Sequence, residues 1–157
     1  MSRKAIVYYS YSNNTKKIVD EIIKSVKADV YEIKPIIPYP DDYELLVKQE
    51  EHKQGKEEVV EIEDLKINLK DYDTIILGTP VWWYTMSSPI RSFLKNNDFT
   101  GKTIIPFATN GGWVGTTFED IKKYAPGATI KNEMNIRFDG GKLETSLVGI
   151  TDWIDSI

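Results

Sequence analysis

The 157-residue chain contains no cysteine and a single histidine, His52. Without cysteine it can form no disulfide, thiolate metal site, cysteine nucleophile or redox-active thiol pair. A lone histidine provides none of the usual zinc ligand sets, so we expect no bound metal. Any redox chemistry therefore has to come from a bound cofactor.

Long apolar runs and basic clusters are also missing. No apolar run approaches the roughly 18 residues that cross a membrane, and the opening Met-Ser-Arg-Lys leads straight into an apolar strand-like segment. We therefore expect a cytoplasmic protein that is neither secreted nor inserted in a membrane. The net charge of -4 indicates that nucleic acid is not a partner.

The hydrophobic pattern alternates between strand-like and helix-like segments along the chain. Strands are predicted at Lys4–Tyr9, Asp29–Ile33, Thr74–Gly78, Thr103–Ala108 and Thr129–Arg137. Helices are predicted at Thr15–Val26, Tyr43–Lys53, Ser88–Asn96, Phe118–Tyr124 and Lys142–Ile157. Continuous apolar strands are typical of a parallel sheet that is buried on both faces. We predict a single domain over residues 1–157 with an α/β fold, a doubly wound five-stranded parallel sheet with helices on both faces.

Residues 35–72 interrupt this alternation with a proline-rich turn, a polar helix and the acidic stretch Glu57–Asp64. Such an excursion could be a lid or a partner-docking segment beside a binding site. It could also be a solvated surface insertion, which we favour because charge runs usually form solvated faces.

Hydroxyl and amide side chains fill the turn between the first strand and the first helix: Ser10, Ser12, Asn13, Asn14 and Thr15. Backbone amides at the start of a helix are unpaired and attract anions. The turn itself contains no Gly, Lys or Arg, so its donors are neutral, which suits a phosphate monoester held without magnesium. The same residue types favour ordinary turns and helix N-caps, so a phosphate site and a simple capped turn both fit this pattern.

Two further loops follow strands at the same edge of the predicted sheet, where open α/β sheets bind their ligands. The third strand is followed by Pro80, Val81, Trp82, Trp83, Tyr84 and Thr85. Three adjacent aromatic side chains are costly to expose, so we expect them to cover something flat, with at least one ring in the core. The fourth strand is followed by Thr109, Asn110, Gly111, Gly112, Trp113, Val114 and Gly115. Its glycines allow positive φ and a close backbone approach to a planar ligand, although a loose βα loop would show the same composition.

Together these loops resemble those of the flavodoxin family, and especially of relatives with a Gly-x-Pro-x-Trp-Trp loop. The motifs that carry the resemblance are Ser10-x-Ser12-x-Asn14-Thr15, Gly78-x-Pro80-x-Trp82-Trp83, the segment Gly101–Phe107, and Thr109-x-Gly111-Gly112. The resemblance implies a strand order of 2-1-3-4-5 and noncovalent FMN. It places the phosphate on the turn at residues 10–15 and the isoalloxazine ring between the loops Pro80–Thr85 and Thr109–Gly115.

No loop residue has the character of a general acid, base or nucleophile, so we predict no separate catalytic residue. Two functions remain open. The acidic charge and small size favour an electron carrier that docks with redox partner proteins. The alternative is an FMN-dependent NAD(P)H oxidoreductase that reduces quinones, nitro compounds or similar small acceptors. The oligomeric state stays open.

One sequence feature favours the enzyme. Flavodoxins often have a glycine near the flavin N5, where the peptide can turn by adopting positive φ. The loop Val81–Pro89 has none, and we expect its bulky residues to avoid that geometry. This favours two-electron chemistry.

Overall fold

The computed structural model describes residues 3–50 and 59–157, in which strands and helices alternate. The strands are β1 (Lys4–Tyr8), β2 (Asp29–Glu32), β3 (Thr74–Trp82), β4 (Thr85–Met86), β5 (Thr103–Asn110), β6 (Thr129–Ile130), β7 (Met134–Asp139) and β8 (Lys142–Leu143). The helices are α1 (Asn14–Ile23), α2 (Tyr43–Glu50), α3 (Ser88–Lys95), α4 (Thr117–Tyr124) and α5 (Leu147–Asp155), and a 3₁₀ turn covers Leu69–Asp71. The end of the predicted helix Tyr43–Lys53, with His52, lies outside the described residues. No helix in the described ranges is long and apolar enough to cross a bilayer.

Parallel strands form the centre of the sheet in the order β2-β1-β3-β5-β7. This confirms the order 2-1-3-4-5, because β1, β2, β3, β5 and β7 correspond to the five predicted strands. The short strand β6 also pairs with β5 in parallel. Two antiparallel additions were not predicted: β4 pairs with β3, and β8 pairs with β7.

The C-terminal part differs from the prediction in two places. The predicted strand Thr129–Arg137 is divided into β6 and β7, and Asn132 between them has a φ of 53°. Asn tolerates this left-handed conformation better than most residues. The last helix begins at Leu147 rather than Lys142, because Lys142 already pairs with Asp139 in the β7–β8 hairpin.

The side chains of the central strands alternate between two apolar layers, one on each face of the sheet. Helices α3 and α4 cover one layer, whose buried members include Ala5, Val7, Ile75, Leu77, Ile90, Phe93 and Ile121. Helices α1 and α5 cover the other, whose buried members include Ile6, Ile18, Ile22, Ile76, Phe107, Ile150 and Trp153. The alternation follows from the two-residue period of a strand. It confirms a doubly wound sheet with helices on both faces.

The excursion over residues 35–72 folds back onto the sheet in its described parts. Pro35 forms an antiparallel bridge with Ile62. The Ser92 hydroxyl of α3 donates to the Val60 carbonyl at 2.6 Å, and the Val60 amide donates to the same hydroxyl at 2.9 Å. In α2, Leu46 is buried. These described parts therefore pack on the domain at a few positions, whereas Glu61, Glu63 and Asp64 of the acidic stretch are exposed, as expected for a solvated charged face.

Candidate functional site

The turn between β1 and α1 presents backbone amides that have no partner of their own. Asn13, the N-cap of α1, has a φ of 75° and a ψ of -5°, the left-handed geometry that Asn adopts more readily than most residues. Within the described part of the chain, the amides of residues 11–15 donate no hydrogen bond outside the helix. The Ser10 hydroxyl accepts from the Lys16 amide at 3.2 Å, which leaves its own proton available. Amides that converge in such a turn form an anion-binding concavity, so the turn has the donors that a phosphate needs.

Thr15 connects this turn to the loop that follows β5. Its Oγ1 lies 2.7 Å from Oγ1 of Thr109. Both side chains are buried, with 1% and 4% of their surface exposed. Each hydroxyl carries one proton and this hydrogen bond uses only one of the two, so the second proton remains for another acceptor. The turn at residues 10–15 and the glycine-rich loop, which the sequence presents as separate motifs, are thus joined.

Asn14 and Lys17 hold the β7–β8 turn beside the start of α1. Asn14 Nδ2 donates to the Gly140 carbonyl at 2.8 Å, and Lys17 Nζ donates to the Gly141 carbonyl at 3.0 Å. Asn14 Oδ1 is buried and accepts no hydrogen bond from the described residues, so a ligand hydroxyl would satisfy it. The hydrogen bond of the Lys17 ammonium thus goes to the hairpin, and the side chains of residues 10–15 themselves are all neutral.

The strand β3 continues past its predicted end at Gly78 and returns through a tight turn as β4. Antiparallel pairing of Trp82 with Thr85 leaves Trp83 and Tyr84 as the two turn residues. Their φ values are 49° and 67°. Positive φ at both positions is the pattern of a type I′ hairpin, which usually takes Asn or Gly. The expectation that the bulky residues of this loop avoid positive φ is therefore wrong.

Trp82 is the aromatic residue of this loop that packs inward. Its ring lies edge-to-face against Tyr39, Tyr9 and Tyr11, with centroid distances of 5.0, 5.7 and 6.2 Å. The Tyr11 hydroxyl donates to the carbonyl of Pro40 in the excursion. Burial raises the pKa of Tyr9 and of Tyr39 well above the usual range, so both phenols are neutral at physiological pH. Trp82 therefore joins the first loop, the second loop and the excursion.

Asn110 fixes the third loop on the neighbouring strand. Its Oδ1 accepts from the Gly112 amide at 2.9 Å, and its Nδ2 donates to Asn135 Oδ1 at 2.6 Å. Gly112 and Gly115 have φ values of 133° and 58°, which confirms the predicted use of positive φ at these two glycines. At Gly115 a side chain is excluded for a second reason, because a Cβ there would lie 2.2 Å from the Tyr84 carbonyl oxygen.

The second and third loops border a cavity of about 480 Å³, which is within the usual range for small-molecule sites. Most of its walls come from predicted site residues: Val81, Trp82, Trp83, Tyr84, Asn110, Gly111 and Trp113. Other predicted residues lie in the same loops without lining the cavity: Pro80, Thr85, Thr109, Gly112 and Gly115. Among the described residues, no acidic or basic side chain lines it. These apolar and aromatic walls suit an uncharged planar ring.

Helix α2 provides a further wall that the sequence analysis missed. Its contributions are Tyr43, Leu46 and Val47. Leu46 is buried, whereas Tyr43 is 67% exposed at the rim. Their i, i+3, i+4 spacing puts all three on one helix face, and this spacing was the available signal. The excursion thus borders the site, as a lid would.

Comparisons with known proteins agree with this architecture. A family model described as flavodoxin matches residues 3–157. A protein from Bacteroides eggerthii that is proposed to be a flavoprotein is 26% identical, with a TM-score of 0.81 over 100% of this chain and 98% of that chain. A flavoprotein from Lactobacillus acidophilus, crystallised in complex with FMN, is 25% identical, with a TM-score of 0.72 over 87% of this chain and 93% of that chain.

A curated relative from Archaeoglobus fulgidus is named NAD(P)H dehydrogenase (quinone). It is 28% identical over 104 residues, which cover 65% of this chain and 53% of the relative. The match thus spans about half the length of that protein. The flavodoxin model, by contrast, extends from residue 3 to residue 157. With that match over almost its whole length, the chain belongs to the flavodoxin family.

Proposed function

We propose that this protein binds FMN noncovalently and acts in electron transfer. The observation that carries the proposal is that the turn of unpaired amides is joined to both loops that border the cavity. Thr15 contacts Thr109 at 2.7 Å, and the Tyr11 ring packs on Trp82 at 6.2 Å. A ligand that carries a planar ring and a phosphate needs the cavity for its ring and the turn for its phosphate. The flavodoxin match and the FMN bound by the Lactobacillus flavoprotein support this cofactor.

In this proposal the amides and hydroxyls of residues 10–15 bind the phosphate, and the loops 80–85 and 109–115 flank the ring. FMN, when bound, supplies the group that accepts and releases electrons. The chain contributes position and, among the described residues, a lining without acidic or basic side chains. Because tyrosine is the only ionisable residue type along the described lining, we assign no general acid or base.

The second candidate is an NAD(P)H-dependent reductase of small planar acceptors such as quinones or nitro compounds. It is favoured by the aromatic rim of the cavity, where Tyr43, Tyr84 and Trp113 are 67%, 56% and 73% exposed. Such rings offer stacking surfaces to a planar molecule, whereas a carrier would be expected to meet its partner through charged groups. The name of the Archaeoglobus relative supports the same candidate.

A single set of measurements tests both functions. The purified protein is titrated with FMN and then mixed anaerobically with NADH or NADPH, with and without a benzoquinone. Failure to bind FMN contradicts the electron-transfer proposal. Sustained quinone turnover supports the reductase, whereas reduction by neither nucleotide supports the carrier.

Two variants at the rim sharpen the distinction. Tyr43→Ala removes a side chain that lines the cavity without belonging to either flavin loop. It should lower kcat/KM for a quinone by a larger factor than it raises the Kd for FMN, because Tyr43 lies at the exposed rim of the cavity. Leu45→Ala is the matched control, because Leu45 is in the same helix and 55% exposed but does not line the cavity. Equal kinetics for the two variants would contradict stacking of the acceptor on this rim.

A further inference from the structure

The strained turn Trp83–Tyr84 is held from one side by the segment that leads into α4. The Thr116 amide donates to the Tyr84 carbonyl at 2.8 Å. Gly115 lies directly against that carbonyl, since a Cβ at Gly115 would approach its oxygen to 2.2 Å. Two bulky residues with positive φ persist only where their surroundings enforce the conformation. The contacts of Gly115 and Thr116 with the Tyr84 carbonyl enforce the conformation of this turn.

One carboxylate ties this segment to the second loop. Asp120 Oδ2 accepts from the Thr85 hydroxyl at 2.5 Å and from the Thr116 hydroxyl at 2.8 Å. Thr85 directly follows the strained pair, and Thr116 directly follows Gly115. Thr85, which flanks the turn, and Thr116, which binds its carbonyl, therefore share a single charged acceptor. Hydrogen bonds to charged acceptors are stronger than those between neutral groups.

Helix capping does not explain the arrangement. Thr116 is the N-cap residue of α4, where a threonine hydroxyl usually accepts from a helix amide. Here its side chain caps no amide and donates to Asp120 instead. The Thr85 hydroxyl comes from a different element and has no part in the helix.

We propose that Asp120 is a positioning residue that holds the Trp83–Tyr84 turn in its left-handed conformation and so forms this wall of the cavity before the ligand arrives. The consequence for binding rests on the proposed FMN function. Without Asp120 the segment at residues 115 and 116 is held less firmly against the turn, so the turn opens more easily toward negative φ and binding then has to order it again. The affinity for the planar ligand falls accordingly, since preorganisation strengthens binding by removing that penalty.

The first measurement uses FMN-free protein, so it is independent of the cofactor assignment. Asp120→Ala should speed hydrogen exchange of the Thr116 amide about tenfold, the change expected when local opening becomes easier by about 1.4 kcal/mol. Asp98→Ala is the matched control. Asp98 also accepts a threonine hydroxyl, that of Thr100 at 2.6 Å, in the loop before β5. Exchange of the Thr116 amide at the wild-type rate in Asp120→Ala overturns the proposal.

The second measurement is the Kd for FMN. Asp120→Ala should raise it about tenfold, equivalent to about 1.4 kcal/mol. Asp120→Asn retains a carbonyl acceptor and should restore most of the affinity. Thr85→Val and Thr116→Val each remove one donor, so they carry the test if Asp120→Ala does not fold. Their effects should be smaller, and the effect of Thr85→Val should vanish in the Asp120→Ala background.

The two measurements separate the possible failures. If wild-type protein binds no FMN but Asp120→Ala speeds Thr116 exchange, the proposed function fails and the positioning role stands. If FMN binds to the wild type and to Asp120→Ala with the same Kd, Asp120 has no positioning role toward the ligand. Equal losses of affinity in Asp98→Ala and Asp120→Ala would mark a general loss of stability and would likewise contradict the proposal.

Discussion

Replacing Thr15 with valine should lower both the stability of the FMN-free protein and its affinity for FMN, through two different hydrogen bonds. Valine has nearly the same shape as threonine, so packing changes little. The substitution leaves the buried Thr109 hydroxyl without its partner at 2.7 Å. An unsatisfied buried hydroxyl lowers the free energy of unfolding by about 1–3 kcal/mol. For a chain of 157 residues this corresponds to roughly 2–4 °C in Tm per kcal/mol.

The loss of affinity has another origin. The hydrogen bond between Thr15 and Thr109 uses one of two hydroxyl protons, and the second is free to bind an anion. A hydrogen bond to a charged group contributes about 1.5–3 kcal/mol, so the Kd for FMN should rise at least about tenfold. Riboflavin lacks the phosphate, so its weaker binding should be far less affected. Ser10→Ala should act on FMN in the same selective way, since the Ser10 proton is also available.

Urea unfolding and flavin fluorescence titrations measure the two effects. The double variant Thr15→Val with Thr109→Val should recover most of the stability, because neither hydroxyl is left unpaired, but not the affinity. Thr129→Val is the matched control at an exposed position in β6, and it should change neither quantity. Equal affinities of wild-type protein for FMN and riboflavin would refute the assignment of residues 10–15 to the phosphate.

Three further outcomes follow from the same contacts. Gly78→Ala should destabilise the fold by about 1–3 kcal/mol in urea unfolding, since the alanine Cβ would lie 2.4 Å from Phe107 Cζ. An unchanged urea midpoint would show that the Phe107 ring moves aside freely. Trp82→Phe should lower stability, because Trp82 packs on three tyrosines. Trp113→Ala should leave stability unchanged but reduce the fluorescence quenching of bound flavin. The reverse pattern would show that Trp113 supports the fold and that Trp82 contacts the flavin. Stability should fall as the pH rises above about 10, because tyrosines ionise there in the unfolded chain while burial raises the pKa of Tyr9 and Tyr39 in the fold. Urea midpoints at about pH 8 and about pH 10.5 test this. A variant with both tyrosines replaced by Phe should lose less stability between these two pH values.

The parallel core was predictable because its strands carry a strong and simple signal. Segments such as Ile75-Ile76-Leu77 are apolar on both faces and therefore demand helices on both sides. The position of the turn at residues 10–15 followed from the same pattern. The Asp139-Gly140 pair is also a hairpin signal, but the residues after it fit the helical pattern predicted for Lys142–Ile157.

Other features had no local signal. Trp83-Tyr84 has none of the composition of a type I′ turn, so the β3–β4 hairpin could not be predicted from propensity. Its conformation is imposed by tertiary contacts with residues 115, 116 and 120. The wall formed by α2 depends on how a segment distant in sequence folds back, and its apolar stripe of Tyr43, Leu46 and Val47 lies in an otherwise polar helix. The role of Asp120 rests on hydroxyls 4 and 35 residues away in the chain.

The strained turn also changes the argument about one-electron and two-electron chemistry. The sequence predicts that the bulky residues of this loop avoid positive φ, yet Trp83 and Tyr84 have it. That conformation is disfavoured by about 1–2 kcal/mol per residue, and Asn-Gly would relieve it. Trp83 and Tyr84 instead both line the cavity, which Asn-Gly would not do with aromatic rings. The Tyr84 carbonyl is meanwhile bound by the Thr116 amide at 2.8 Å and would have to break that bond to turn toward a ligand. We propose that this hydrogen bond, rather than the missing glycine, opposes rotation of the Tyr84 peptide toward a bound flavin and so favours two-electron chemistry.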